Sequence, residues 1–116
     1  MKNIHEWYAG SVSDHSLLDA VRTSIKEQEN SANIILYGSR ARGDARSESD
    51  YDIVVLLPGK VSLAREDALR DAIFSLQIDR GVSISIQAYS REDWNTPLYK
   101  AMPFVQNVER EGIQYA

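Results

Sequence analysis

The residues in this chain best suited to chemistry are a Gly-Ser pair at 38 and 39 and two aspartates at 50 and 52. All four lie in the stretch GSRARGDARSESDYD, residues 38–52. Residues i and i+2 of a strand point to the same side, so Asp50 and Asp52 can share a hard cation. Magnesium prefers such carboxylate oxygens and fills its remaining positions with water and substrate phosphates. Glycine at 38 lets backbone amides approach an anion closely, because no side chain stands in the way. Metal-binding and phosphate-binding chemistry therefore meet in one short segment.

Two apolar runs bracket it, Ile34-Ile35-Leu36-Tyr37 before and Ile53-Val54-Val55-Leu56-Leu57 after. They predict a strand over 33–37 that stops at Gly38, and a second over 51–57 that begins beside the aspartates. The second is apolar on both faces beyond Asp52, as a central strand should be. A short helical turn is expected after Ser39. Upstream, Leu18, Val21, Ile25 and Gln28 form one helical stripe with Leu17 beside it, so a helix should start at Ser13 or Asp14 and end at Asn30-Ser31. Pro58-Gly59 marks a turn. Ser62 then opens a helix with a core stripe of Leu69, Ala72, Ile73 and Leu76, ended by Arg80-Gly81.

A third strand over 82–89 alternates Val82, Ile84, Ile86 and Ala88 with Ser83, Ser85, Gln87 and Tyr89. Ser90 caps an acidic helical turn. Pro103 fits the first position of a last helix, 104–111, closed by Gly112. Tyr99, Phe104 and Val108 of this tail are expected to cover the sheet. Residues 1–12 are weakly patterned, and nothing says where Trp7 and Tyr8 dock. Strands alternating with helices predict an α/β (α+β) fold, a small mixed sheet of three or more strands with helices mainly on one face. Without a repeat or linker, a single domain over 1–116 is expected, with a motif core of 14–90 and a helical tail of 91–116.

Composition sets the outer bounds. A chain of 116 residues can bury roughly two thirds of its unfolded surface. With 13 basic against 17 acidic residues, the net charge is −4, which argues against broad nucleic-acid binding. The chain has no cysteine, so disulfides, zinc thiolates and cysteine nucleophiles are excluded. Its longest apolar runs fall far short of the ~20 residues that span a bilayer. The first residues are polar and lack a signal-peptide core, so a soluble cytoplasmic protein is expected. His5 and His15 have no zinc spacing and read as surface residues.

The stretch GSRARGDARSESDYDIVVLL resembles the signature of the DNA polymerase β-like nucleotidyltransferase superfamily, most closely its minimal, single-domain nucleotidyltransferases. The resemblance rests on Gly38, Ser39, Ala41, Arg42, Gly43, Ser49, Asp50 and Asp52. It implies that Gly38 and Ser39 hold a triphosphate, that Arg40 or Arg42 assists electrostatically, and that Asp50 and Asp52 bind one or two Mg²⁺. Arg42 has a second reading, as a brace that holds the turn by hydrogen bonds to carbonyls. The implied catalytic set is Asp50, Asp52 and Ser39. The implied reaction moves a nucleoside monophosphate from ATP, or another nucleoside triphosphate, to a hydroxyl and releases pyrophosphate. Minimal members often pair with a helical HEPN-type toxin that they adenylylate, which makes such a protein the partner the resemblance implies. A homo-oligomer through the exposed sheet edge is the other association expected.

One position departs from the pattern. Active relatives carry a third carboxylate on the neighbouring strand, and alignment from the exit at Ser90 puts Ser85 there. The row Ser83, Ser85, Gln87 holds no acid. Three readings follow: an active nucleotidyltransferase, a nucleotide- or partner-binding protein of the same fold without catalysis, and an unrelated mononucleotide-binding α/β domain. The last predicts no metal dependence.

Overall fold

The computed structural model describes residues 1–116. Helix α1 spans Val12–Gln28. Its N-terminus is closed reciprocally: the Ser11 hydroxyl accepts from the Asp14 N–H at 3.0 Å, and the Asp14 carboxylate accepts from the Ser11 N–H at 3.0 Å. This box starts the helix slightly before Ser13. The first helical residue, Val12, is 90% exposed, so hydrophobic periodicity carries no trace of it. Leu17, Leu18, Val21 and Ile25 form the buried stripe.

Five strands make one sheet: β1 (Lys2–Asn3), β2 (Asn33–Tyr37), β3 (Tyr51–Leu57), β4 (Ile84–Ser90) and β5 (Ile113–Gln114). Their order is β1-β5-β2-β3-β4. β2 runs antiparallel to β3 and β5, whereas β3–β4 and β1–β5 are parallel. The three longer strands match the expected ones. The outer two have only two residues each, too few to show a period of two. β4 begins at Ile84 rather than Val82 because Val82 is spent on the preceding helix: its N–H and that of Gly81 both bond the Gln77 carbonyl.

Alternation along the strands divides the core. Ile34, Leu36, Ile53, Val55 and Leu57 face α1 and the long helix α3 (Leu63–Arg80), which adds Leu69 and Ile73. Ile35, Val54 and Leu56 face the other way, onto Trp94, Val105 and Val108. Those three belong to the short helices α4 (Arg91–Trp94) and α6 (Pro103–Glu111), separated by α5 (Pro97–Lys100). Both long helices thus share one face, and the tail covers the other. Each fully buried Ile or Leu contributes about 1.5–3 kcal/mol.

Arg65 ties the layers together. Its guanidinium grips Glu29 at 2.9 and 2.8 Å, and bonds the Pro58 and Lys60 carbonyls at 3.0 and 2.7 Å. The end of α1, the turn after β3 and the start of α3 are thereby joined. No helix is long and apolar enough to cross a membrane.

Candidate nucleotide site

Gly38 opens a short helix, α2 (Gly38–Arg42), directly at the end of β2. No side chain caps it, so its first N–H groups are left free of a side-chain acceptor. Gly38 has φ +76°, a conformation that favours glycine. A Cβ at this position would lie 2.5 Å from Asp52 Oδ2 and 3.3 Å from its Cγ. The carboxylate therefore rests against the bare α-carbon of the glycine turn. Ser39's carbonyl accepts from the N–H groups of Gly43 and Asp44 at 2.9 and 3.2 Å, which closes the turn without using its hydroxyl.

Register places Asp52 beside Tyr37 of β2 and Ser85 of β4. Side chains of paired residues stand on one face of a sheet, so Tyr37, Asp52 and Ser85 form a row. Burial raises the Asp52 pKa, and the Asp50 charge raises it further, while Arg42 works against both. No hydrogen bond contributes. Asp50 is exposed and lies one residue before β3, so it bears on Asp52 through its charge, and Asp52 has no donor from the chain, an arrangement that favours a bound cation. Arg42 is the cation that bears on Asp52, and it also bonds Asp44 at 3.2 Å and Glu111 at 3.1 Å.

Arg40 lies elsewhere. Its Nε and Nη2 donate to the Ser49 carbonyl at 3.3 and 2.9 Å, and Nη2 also reaches the Ser47 carbonyl at 3.1 Å. Its guanidinium carbon sits 4.3 Å from the centre of the Tyr51 ring, and Nη1 is 3.9 Å from Asp14. Tyr51 is one residue from Asp52 and projects to the opposite face. Arg40 therefore braces the 47–49 loop from beneath, the carbonyl-holding role that the sequence suggested for Arg42.

The Tyr51 hydroxyl bonds Asp14. Burial, followed by that bond and the Asp14 charge, pushes the Tyr51 pKa up to about 12, with Arg40 opposing. Burial also acts to raise Asp14, but the bonds from Tyr51 and Ser11 together with Arg40 bring it below its ordinary value.

The N-terminal segment completes the support. Trp7 is buried, and its indole N–H donates to the Ala41 carbonyl of α2 at 3.1 Å. Tyr8 is 91% exposed. Nothing in the sequence pattern signals this long-range contact.

A second group of residues escaped sequence reasoning. Gln87 donates through Nε2 to the Tyr37 hydroxyl at 3.1 Å, and the Tyr89 hydroxyl donates to Gln87 Oε1 at 2.7 Å. The chain of donors leaves Tyr37 with its own proton to offer. Burial and the Asp52 charge push its pKa up to about 12, so it stays a phenol. Alternation put Gln87 and Tyr89 on this face, but only the β2–β3–β4 register shows that they reach Tyr37. Phe104 closes the edge, its ring 5.4 Å from that of Tyr37.

No group of three or more His, Cys, Asp or Glu side chains is placed to hold a metal. Two carboxylates suit magnesium that arrives with phosphates and keeps its waters, rather than an all-protein cage. The donor set fits that cation.

The nucleotidyltransferase domain family matches residues 18–111. No curated protein matches the sequence. A crystal structure of a toxin-antitoxin with AMP-PNP is similar in fold, with a TM-score of 0.59 and 18% identity over 83% of this chain and 69% of its own. Family match, sheet register and the glycine turn against Asp52 agree, and the chain belongs to the nucleotidyltransferase domain family.

Proposed function

We propose that this chain binds a nucleoside triphosphate with Mg²⁺, ATP being the first to test, and transfers the nucleoside monophosphate to a hydroxyl on a partner protein. Gly38 and Ser39 hold the phosphates through backbone N–H groups and the Ser39 hydroxyl. Asp50 and Asp52 hold the cation. When bound, Mg²⁺ supplies charge neutralisation at the α-phosphate and at the departing pyrophosphate. Arg42 balances charge at Asp52, Tyr37 offers a hydrogen bond from the same row, and Arg40 keeps the loop in shape. The acceptor oxygen bonds the α-phosphorus, the bond to pyrophosphate breaks, and the acceptor proton passes to water or to an aspartate. The observation that carries this reading is the Asp52 carboxylate resting on Gly38, raised in pKa and without a hydrogen-bond donor.

In this reading the nucleotidyltransferase domain relies on a partner for acceptor recognition. The similar toxin-antitoxin structure with AMP-PNP supports an antitoxin role, and the HEPN-type helical toxin is the acceptor that the sequence resemblance implies. The cytoplasm, where nucleoside triphosphates abound, is the compartment that suits it. Incubation with Mg²⁺, α-labelled ATP and a candidate toxin tests the proposal: label should appear on the toxin and vanish with Asp52→Asn.

A second reading is favoured by Ser85, which stands beside Asp52 where a third carboxylate would activate the acceptor. On that reading the chain binds nucleotide or partner without transfer. Mg²⁺-dependent ATP binding with no label transferred to any partner would select it.

A further inference from the structure

The edge of the sheet at β4 is open, since β3 pairs with β4 on one side only. Ser83 offers its carbonyl to the Tyr51 N–H at 2.9 Å, towards β3. Along a parallel pair successive residues turn their backbone groups to alternate sides, so Ile84, Ile86, Ala88 and Ser90 point outward. Two side chains of α3 confirm this: Gln77 accepts from the Ile84 N–H at 2.9 Å, and Arg70 reaches the Ile86 carbonyl at 3.4 Å. Ala88 lies beyond both and presents its N–H and C=O to the open side.

Above this edge runs a second unpartnered feature. Leu63, Asp67, Arg70 and Phe74 follow each other at intervals of four, three and four along α3, which places them on one stripe. Leu63 is 73% exposed and Phe74 60%. Arg70 and Phe74 line a groove of about 570 Å³ whose floor is Ile84, Ile86 and their neighbours on β4. Arg70 and Phe74 therefore border the open edge, and Leu63 and Asp67 continue their stripe along the helix.

Read in either direction, the stripe is apolar, charged, charged, apolar, with the charges opposite in sign. A two-fold axis between Asp67 and Arg70 sets Leu63 against Phe74 of a second copy and Asp67 against its Arg70. At the same level along β4 lies Ala88, because Arg70 and Glu66 flank it in the adjoining groove. An axis through Ala88 pairs it with itself in an antiparallel ladder and pairs Ile86 with Ser90. Helix stripe and strand edge thus accept one and the same axis.

We infer that this face is an isologous dimer interface, in which a second copy of the chain extends the sheet across β4 and lays its α3 antiparallel to the first. A two-fold interface must be self-complementary, and this one is so in charge, in apolar contact and in backbone hydrogen bonding. The partner's Arg70 replaces weak exposed pairs within the chain, at 3.2 Å to Glu66 and 4.0 Å to Asp67.

Sedimentation of the purified full chain over a concentration series tests the inference, with circular dichroism to verify folding. Wild type should dimerise. Arg70→Glu and Asp67→Arg should each weaken the dimer about ten-fold or more, since each sets like charges together, and the double variant should restore it. Ala88→Pro, which an edge strand tolerates in folding, should weaken it as well. A wild type that stays monomeric overturns the inference. A dimer indifferent to Ala88→Pro, or charge variants that are not rescued in combination, overturns it too.

Discussion

The carboxylate of Asp52 lies against the α-carbon of Gly38, so close that a methyl group there would stand 2.5 Å from Oδ2. The turn that would hold phosphate and the strand that would hold metal are therefore one structural unit. Neither can shift without the other.

Gly38→Ala tests that unit. The substitution meets both a φ of +76° and the Asp52 oxygen, and strain of this kind costs on the order of 1–3 kcal/mol. Thermal unfolding should show the loss, and Mg²⁺–ATP affinity should fall with it. Unchanged affinity would mean that Gly38 and Asp52 serve separate ends.

Asp52→Asn has the opposite expected effect on stability. The folded state holds Asp52 with a raised pKa, so between the two values it keeps a proton that the unfolded chain has released. Stability is then lost as pH rises from the ordinary carboxylate value through the raised one. With no ligand bound, the neutral amide should stabilise the chain at neutral pH, by less than about 1 kcal/mol given its solvent contact. Denaturation in urea at acid and neutral pH measures the difference, which should vanish at low pH.

Arg40→Lys keeps the charge and removes the planar fork. The bonds to Ser47 and Ser49 cannot all be remade. A drop in stability of about 1–2 kcal/mol with weaker ATP binding is expected. If Arg40 instead touched phosphate as a point charge, lysine would preserve binding.

Glu29→Gln should cost about 1 kcal/mol at neutral pH, since its bidentate pair with Arg65 is partly shielded. The Arg65 hydrogen bonds and charge hold Glu29 below its ordinary pKa against burial. Its contribution is complete above the unfolded value and fades as pH falls through the lowered one. Urea midpoints of wild type and variant should converge in acid.

Ser85→Asp places a third carboxylate in the row with Asp52. Label transfer from ATP to a partner should rise, with ATP affinity changed little. A fall in transfer would show that Ser85 does not stand where the acceptor is activated.

Much of this was legible in the sequence, for identifiable reasons. The runs before Gly38 and after Asp52 gave the central strands, and counting back from Ser90 placed Ser85 beside Asp52, as the register has it. β1 and β5 were not legible, because two residues carry no period. Arg40 and Arg42 could not be told apart by type; only their anchors do that, Ser47, Ser49 and Tyr51 for one and Glu111 for the other. The docking of Trp7 on Ala41 and the Tyr37–Gln87–Tyr89 chain depend on contacts between distant segments.

Gly38, Ser39, Asp50 and Asp52 are proposed to form one Mg²⁺–nucleotide site. Titration calorimetry of ATP with the wild-type chain and Asp52→Asn, each with Mg²⁺ and with a chelator, tests it most directly. Binding should require both Mg²⁺ and Asp52. ATP bound equally well by the chelated wild type, or by Asp52→Asn, would contradict it.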